Sequence, residues 1–244
     1  MGYWRDTGAG LSTRNASFCL EEFEYLDSDS VNPALRTPAT KKRKSHRQLP
    51  EYATWMQNAH TSQQRLQSFI AELATSEQPG QPAVAPGDVF LYPNGMNAIY
   101  SLSESLVSLE SNSQVAAYGW LYPETVEVLR RGAWKNILSF KDGTEKELDQ
   151  LESILQSGQR IHTLFCELPS NIKLSSPNLH RIRALADQYG FIVACDDTVA
   201  GYVNIDALPY VDVMMSSLTK TFSGSSNVTG GRYVSNLHPS NPII

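Results

Sequence analysis

Cysteine is scarce, with three in 244 residues: Cys19, Cys166 and Cys195. Three scattered thiols cannot build a disulfide framework, and Cys166 and Cys195, each within an apolar strand-like run, read as buried free thiols. No apolar run approaches the roughly 20 residues needed to span a bilayer. The N-terminal MGYWRDTGAG has no apolar signal core, and Asp6 stands where a myristoylation signal requires Ser or Thr. Positive charge is in deficit. The 20 Lys and Arg against 25 Asp and Glu leave a net −5, which gives no general attraction to nucleic acid or acidic membranes. Several catalytic templates are missing: a Walker loop, HExxH, a GxSxG elbow and a complete GxGxxG after a strand. Gly8-Ala9-Gly10 lacks both the third glycine and the strand. No internal repeat is visible. What remains is 41% hydrophobic and 18% charged, the composition of a soluble globular protein, here read as cytoplasmic and acting on small molecules.

The chain changes character near residue 87. Residues 1–86 are polar and irregular and read as an N-terminal arm, with a helix over 59–76 that stops before Gln-Pro-Gly-Gln-Pro. Within it, residues 26–50 are rich in Ser, Pro, Thr and basic residues and read as a mobile loop. The run Lys41-Lys42-Arg43-Lys44 reads as a solvated basic loop, with a nuclear-localisation signal or an anion patch as the other reading. Residues 87–244 form the main domain. Strands are expected at 88–92, 114–119, 136–140, 161–168, 191–197 and 211–218. Helices are expected at 97–110, 123–131, 145–156 and 177–190. Strands alternating with helices imply an α/β fold with a mostly parallel sheet covered on both faces, and FIVAC and VDVMM have the continuous apolar character of buried parallel strands. In such sheets ligands bind beyond the carboxyl ends of the strands.

That rule singles out four strand ends, from Tyr92, Glu167, Asp196 and Ser216 onward, and three of them carry legible chemistry. After the first strand, Pro93-Asn94-Gly95 turns into a helix, and a glycine at a helix N-terminus lets backbone N–H groups approach an anion such as phosphate. The plain alternative is an ordinary helix start. After the fifth strand stand Asp196 and Asp197. An Asx turn is the plain reading, and a metal site lacks accompanying His or Cys. A buried carboxylate needs a compensating partner, and a protonated pyridine nitrogen is one such cation. After the sixth strand comes Ser217-Leu218-Thr219-Lys220. A lysine among hydroxyls and glycines is either a surface residue or a partly desolvated nucleophilic amine.

At these residues a resemblance becomes specific. Residues 165–231, from FCELPSN through CDDT to SSLTKTFSGSSNVTGG, resemble the Cys/Met-metabolism pyridoxal-phosphate (PLP) family of fold type I, of the fungal cystathionine γ-synthase kind. The match covers most of 88–237, with a weaker echo at 3–25. The resemblance implies a PLP-dependent transferase-like large domain with a seven-stranded, mostly parallel sheet flanked by helices. It implies that Lys220 forms the Schiff base with PLP, that Asp196 pairs with the pyridinium nitrogen and that Tyr122 stacks on the ring. It implies that Gly95 and Met96 give backbone N–H groups to the phosphate, with hydroxyls from Ser217 and Thr219. Asn171 would bond the ring hydroxyl or the substrate, and Arg14 would reach the phosphate of a neighbouring subunit. The implied partners are amino-acid substrates and further copies of the chain, as a homodimer or homotetramer.

The implied reaction is γ-replacement on an activated homoserine, O-acylhomoserine plus cysteine giving cystathionine. A specialised γ-substitution enzyme, a γ-lyase and a non-catalytic PLP-binding remnant are the other readings. The chain departs from the family pattern at Asn171-Ile172, where Asn-Pro is usual, at Asn97, where Ala is usual, and at Tyr122-Pro123-Glu124-Thr125, where Tyr-Gly-Gly-Thr is usual. It also ends before the small C-terminal domain, which in the family carries the arginine that holds the substrate carboxylate.

Overall fold

A computed structural model describes residues 49–225 and 227–236. Arg14, the basic run 41–44 and the echo at 3–25 lie outside the described residues. The chain divides into two units, Ala9–Ser62 and a larger one of Met1–Gly8 with Gln63–Ile244. In the larger unit, Ile70, Ala71 and Ala74 of helix α1 (Leu49–Ala74) are buried in the core.

The larger unit follows the alternation of apolar runs. Strand β1 (Val89–Tyr92) leads to α2 (Gly95–Leu109), β2 (Gln114–Tyr118), α3 (Pro123–Arg131), β3 (Asn136–Phe140) and α4 (Glu145–Gln156). Then come β4 (Thr163–Glu167), α5 (Leu179–Tyr189), β5 (Ile192–Asp196), a short α6 (Gly201–Asn204), β6 (Val213–Ser217) and β7 (Gly231–Ser235). The seven strands make one sheet in the order β1-β7-β6-β5-β4-β2-β3. Pairings among β2 to β6 are parallel, and β7 runs antiparallel to both β6 and β1.

The sheet is buried on both faces, and the side chains alternate between them with period two. On one face Val115, Ala117, Phe165, Ala194, Val213, Met215 and Tyr233 pack with Leu102 and Leu106 of α2 and Leu129 of α3. On the other, Ala116, Leu164, Cys166, Val193, Cys195, Met214 and Val234 pack with Leu148 and Leu151 of α4 and Ile182 of α5. Helix ends follow local chemistry. Thr144 and Glu147 close a reciprocal capping box on α4, and Gly190 ends α5 in the left-handed region at φ 71°.

Strand β7 is absent from the sequence reading. Its pattern, Gly-Arg-Tyr-Val-Ser, places an arginine inside a strand, which hides the apolar run. Arg232 is nonetheless 1% exposed, because its Nη2 donates to both carboxylate oxygens of Asp197 at 2.8 Å and its Nη1 donates to the Met214 carbonyl at 2.6 Å. The Tyr202 ring covers the guanidinium at 4.6 Å. Among the described residues no helix is long and apolar enough to cross a membrane.

Candidate active site

Strands β4, β5 and β6 are adjacent and parallel, so their carboxyl ends open on one edge of the sheet. At the end of β5, Asp196 is 9% exposed. Thr198 wraps back on it: its N–H donates to Asp196 Oδ1 at 2.9 Å and its hydroxyl to the same oxygen at 2.5 Å. The Thr198 hydroxyl also accepts the Ser217 N–H at 2.8 Å, which locks the end of β5 to the end of β6. The Asx turn read from the sequence is therefore present, and it uses only Oδ1. No described residue donates to Oδ2. Burial pushes the Asp196 carboxyl up to about 6, against the pull of the Thr198 hydrogen bonds. A carboxylate so placed is completed by a cation brought to the open strand end. Asp197, its neighbour, is consumed by Arg232.

A second corner forms where the turn before α2 meets β6 and β7. Asn94 caps α2 by accepting the Asn97 N–H at 2.9 Å, which gives Asn97 a backbone role at this corner. The N–H groups of Gly95 and Met96 lie ahead of the helical ladder, at the positive end of its dipole. The corner is too tight for side chains. A Cβ on Gly95 would stand 2.6 Å from the Ser217 Cβ, and one on Gly231 would overlap the Asn94 carbonyl at 2.1 Å. The two glycines thus bring a helix N-terminus against Ser217, the cradle a phosphate requires.

Lys220 follows three residues after Ser217, and its N–H donates to the Ser217 carbonyl at 3.2 Å. The side chain is exposed. Its loop is ordered by local bonds: the Gly224 N–H to the Lys220 carbonyl at 3.0 Å and the Ser223 hydroxyl to the Thr219 carbonyl at 3.0 Å. Thr219 is occupied in the loop too, since its hydroxyl accepts the Gly230 N–H at 3.2 Å and reaches the Gly230 carbonyl at 3.3 Å. Its geometry is that of a loop clasp; Ser217 is the hydroxyl residue at the helix N-terminus.

Tyr122 precedes Pro123 at the start of α3 and is 39% exposed. Asn171 lies in the turn after β4 with its side chain exposed. The structure therefore gathers Asp196, Ser217, Lys220, Gly95 and Met96 around the ends of β5, β6 and α2, with Tyr122 and Asn171 in the loops that follow β2 and β4. Three further residues matter: Thr198 and Arg232, which the sequence reading passed over, and Glu167, which it marked only as the start of a strand end. Thr198, in Asp-Asp-Thr, is legible as an Asx-turn partner two residues after Asp196. Arg232 carried no local signal. Glu167 sits beside Asp196 in register, on the same face of the sheet, and its position depends on strand pairing.

These residues fit PLP. There is a partly satisfied buried carboxylate for a ring nitrogen, a glycine-opened helix N-terminus for a phosphate and an exposed lysine at the neighbouring strand end. Among the described residues no group of three or more His, Cys, Asp and Glu is arranged to hold a metal ion. The sheet and this site define a fold-type I PLP-dependent enzyme domain. The chain belongs to the Cys/Met metabolism PLP-dependent enzyme family, whose model matches residues 35–241, and pyridoxal phosphate is the cofactor of that family.

It is 40% identical over 235 residues to the cystathionine gamma-synthase-like protein ankD of Aspergillus thermomutatus, covering 96% of this chain and 41% of that protein. It is 35% identical over 244 residues to the alanine racemase ungC of Aspergillus violaceofuscus, covering 96% of this chain and 40% of that one. Among solved structures, a cystathionine gamma synthase from Xanthomonas oryzae superposes with a TM-score of 0.58 at 19% identity. That superposition covers 72% of this chain and 42% of that one, and it shows the fold. The chain spans about two-fifths of the length of these relatives.

Proposed function

We propose that this chain carries the PLP-binding part of an enzyme that replaces the γ-substituent of an activated homoserine. The observation that carries the reading is Asp196: a buried carboxylate, closed on one oxygen by Thr198, at a strand end adjacent to the one that leads to Lys220. When bound, PLP supplies an electron sink for carbanions formed at the carbons of an amino acid.

The chain's own groups then have distinct tasks. Asp196 Oδ2 holds a proton on the ring nitrogen, since a buried anion favours the cation beside it. Gly95 and Met96 N–H groups, with the Ser217 hydroxyl, bind the phosphate. Tyr122 covers the ring face. Lys220 Nζ would hold the cofactor, and its free amine would take the Cα proton of the substrate and return it. In the net reaction the sulfur of cysteine bonds to Cγ of O-acylhomoserine, the Cγ–O bond breaks, the acyloxy group leaves as a carboxylate and the thiol proton is released. We further propose that the working form is at least a dimer with a site completed by a second copy.

The likeness to an alanine racemase over 96% of the chain favours a second reading, in which Lys220 moves the Cα proton and nothing leaves Cγ. Incubating the PLP-loaded chain with O-acetylhomoserine plus cysteine, and separately with L-alanine, distinguishes the two. Cystathionine that disappears in Lys220→Ala supports γ-replacement. D-alanine without cystathionine replaces that reading with the second. Neither product, from protein that retains PLP, overturns both for this chain.

A further inference from the structure

Glu167 ends β4 beside Asp196, and both side chains lie on the sheet face that carries Phe165, Ala194 and Met215. It is 6% exposed, and its Oε2 is buried with no hydrogen-bond partner among the described residues. Its carboxyl lies between Leu121 and Tyr122, with which it lines one small cavity, and Ser170 and Ser175, with which it lines another. These belong to two different loops, the turn after β4 and the segment that enters α3. Both loops carry a residue of the candidate site.

The Thr125 hydroxyl, in the first turn of α3, is likewise buried without a partner among the described residues. It and Glu167 line the same small cavity, with Leu121, Tyr122 and Asp196, and the cavity has a volume of about 10 Å³. That is room for one water. Glu167 also borders a second cavity with Ser170, Ser175 and Pro177, so it forms the wall between the Tyr122 loop and the Asn171 loop.

We propose that Glu167 is the positioning residue of this site: its carboxyl joins the Tyr122 loop to the Asn171 loop, and through a single water joins both to Thr125. The chemistry requires a neutral acceptor there, because an anion would face Asp196 across adjacent strands. Burial and the Asp196 charge both push the Glu167 carboxyl up, to about 8, so at neutral pH it carries its proton. A neutral carboxyl can accept a backbone N–H from each loop and donate its own proton toward the water. Glutamine reproduces the acceptor and a donor without a charge; alanine reproduces neither. The consequence for PLP rests on the function proposed above, but the tie between the loops does not.

The test therefore has two arms, on the full chain. Amide hydrogen exchange without PLP is compared for the parent, Glu167→Ala and Glu167→Gln. In Glu167→Ala the Tyr122 and Asn171 amides are expected to exchange about tenfold faster, the loss of one net hydrogen bond, while Ala116 and Leu164 in the strands keep their protection. Glu167→Gln is expected to stay near the parent. The second arm is a PLP titration by visible absorbance, where alanine should weaken binding and glutamine restore it. Unchanged exchange at Tyr122 and Asn171 in Glu167→Ala would overturn the proposal, as would Glu167→Gln behaving like alanine. If no variant, and not the parent, binds PLP, the proposed function fails while the exchange arm still decides the role of Glu167.

Discussion

Asp197 and Arg232 are 2% and 1% exposed, and each is the other's only charged hydrogen-bonding partner among the described residues. Removing one leaves the other charged, buried and alone, a change that costs about 3–5 kcal/mol. Arg232→Met should lower stability by that amount in urea unfolding, and Asp197→Leu with Arg232→Met should regain most of it, because a matched apolar pair leaves no orphan charge. Asp196, one residue earlier, follows different logic. Burial raises its carboxyl to about 6 and that of Glu167 to about 8. A carboxyl whose folded pKa lies above its unfolded value binds more protons in the folded state. These two groups therefore withdraw stability as pH rises from about 4 to 8, and restore it as pH falls. The PLP-free chain should show a urea midpoint that drops between pH 5 and 8, and Glu167→Gln should flatten the upper part of that drop. Sequence alone marked Asp196 as special, since two carboxylates after an apolar strand demand compensation. Composition and spacing alone did not separate Asp196 from Asp197; the family resemblance singled out Asp196, and the tie of Asp197 to Arg232, 35 positions on, is visible only in the fold.

The meeting of α2 with β6 and β7 is governed by close approach between elements. Gly231 opens β7 directly under the Asn94 carbonyl, where a Cβ would stand at 2.1 Å, and Gly95 abuts Ser217. Gly231→Ala must push the turn before α2 off the sheet. It should lower thermal stability by about 1–3 kcal/mol, the range for overpacking, and should also weaken phosphate and PLP binding, since the same turn supplies the N–H groups. A loss of stability with unchanged phosphate affinity would remove this corner from the site. At this scale most elements were readable. The ranges 123–131, 136–140 and 145–156 agree residue for residue with α3, β3 and α4, because Pro123, Thr144 and the bounding glycines mark them locally. Strand β7 was not readable, because its arginine is neutralised by a residue from another strand end. The start of α1 was not read either: the helix expected at 59–76 begins at Leu49.

For the whole molecule, the order β1-β7-β6-β5-β4-β2-β3 places the ends of the middle strands side by side, and the candidate site lies along that edge. Alternation of strands and helices foretold the mostly parallel sheet. The neighbours of each strand were not foretold, and with them went the pairing of Glu167 with Asp196. Tyr122, Trp120, Ile172 and Leu174 stand exposed in the loops after β2 and β4. An exposed apolar lip beside a site is where a second copy would sit. Light scattering of the purified chain is expected to give at least a dimer, and a monomer at micromolar concentration would contradict that proposal.

The central claim, that Lys220 and Asp196 hold PLP in this chain, is tested most directly by one spectrum. The purified chain is loaded with PLP, freed of excess cofactor and recorded in the visible range beside Lys220→Ala and Asp196→Asn. A retained visible band in the parent, which borohydride fixes to the peptide containing Lys220, together with its absence in Lys220→Ala and a shifted or weakened band in Asp196→Asn, is the predicted result. Folded parent protein that emerges colourless, or a borohydride label on a lysine other than Lys220, would contradict it.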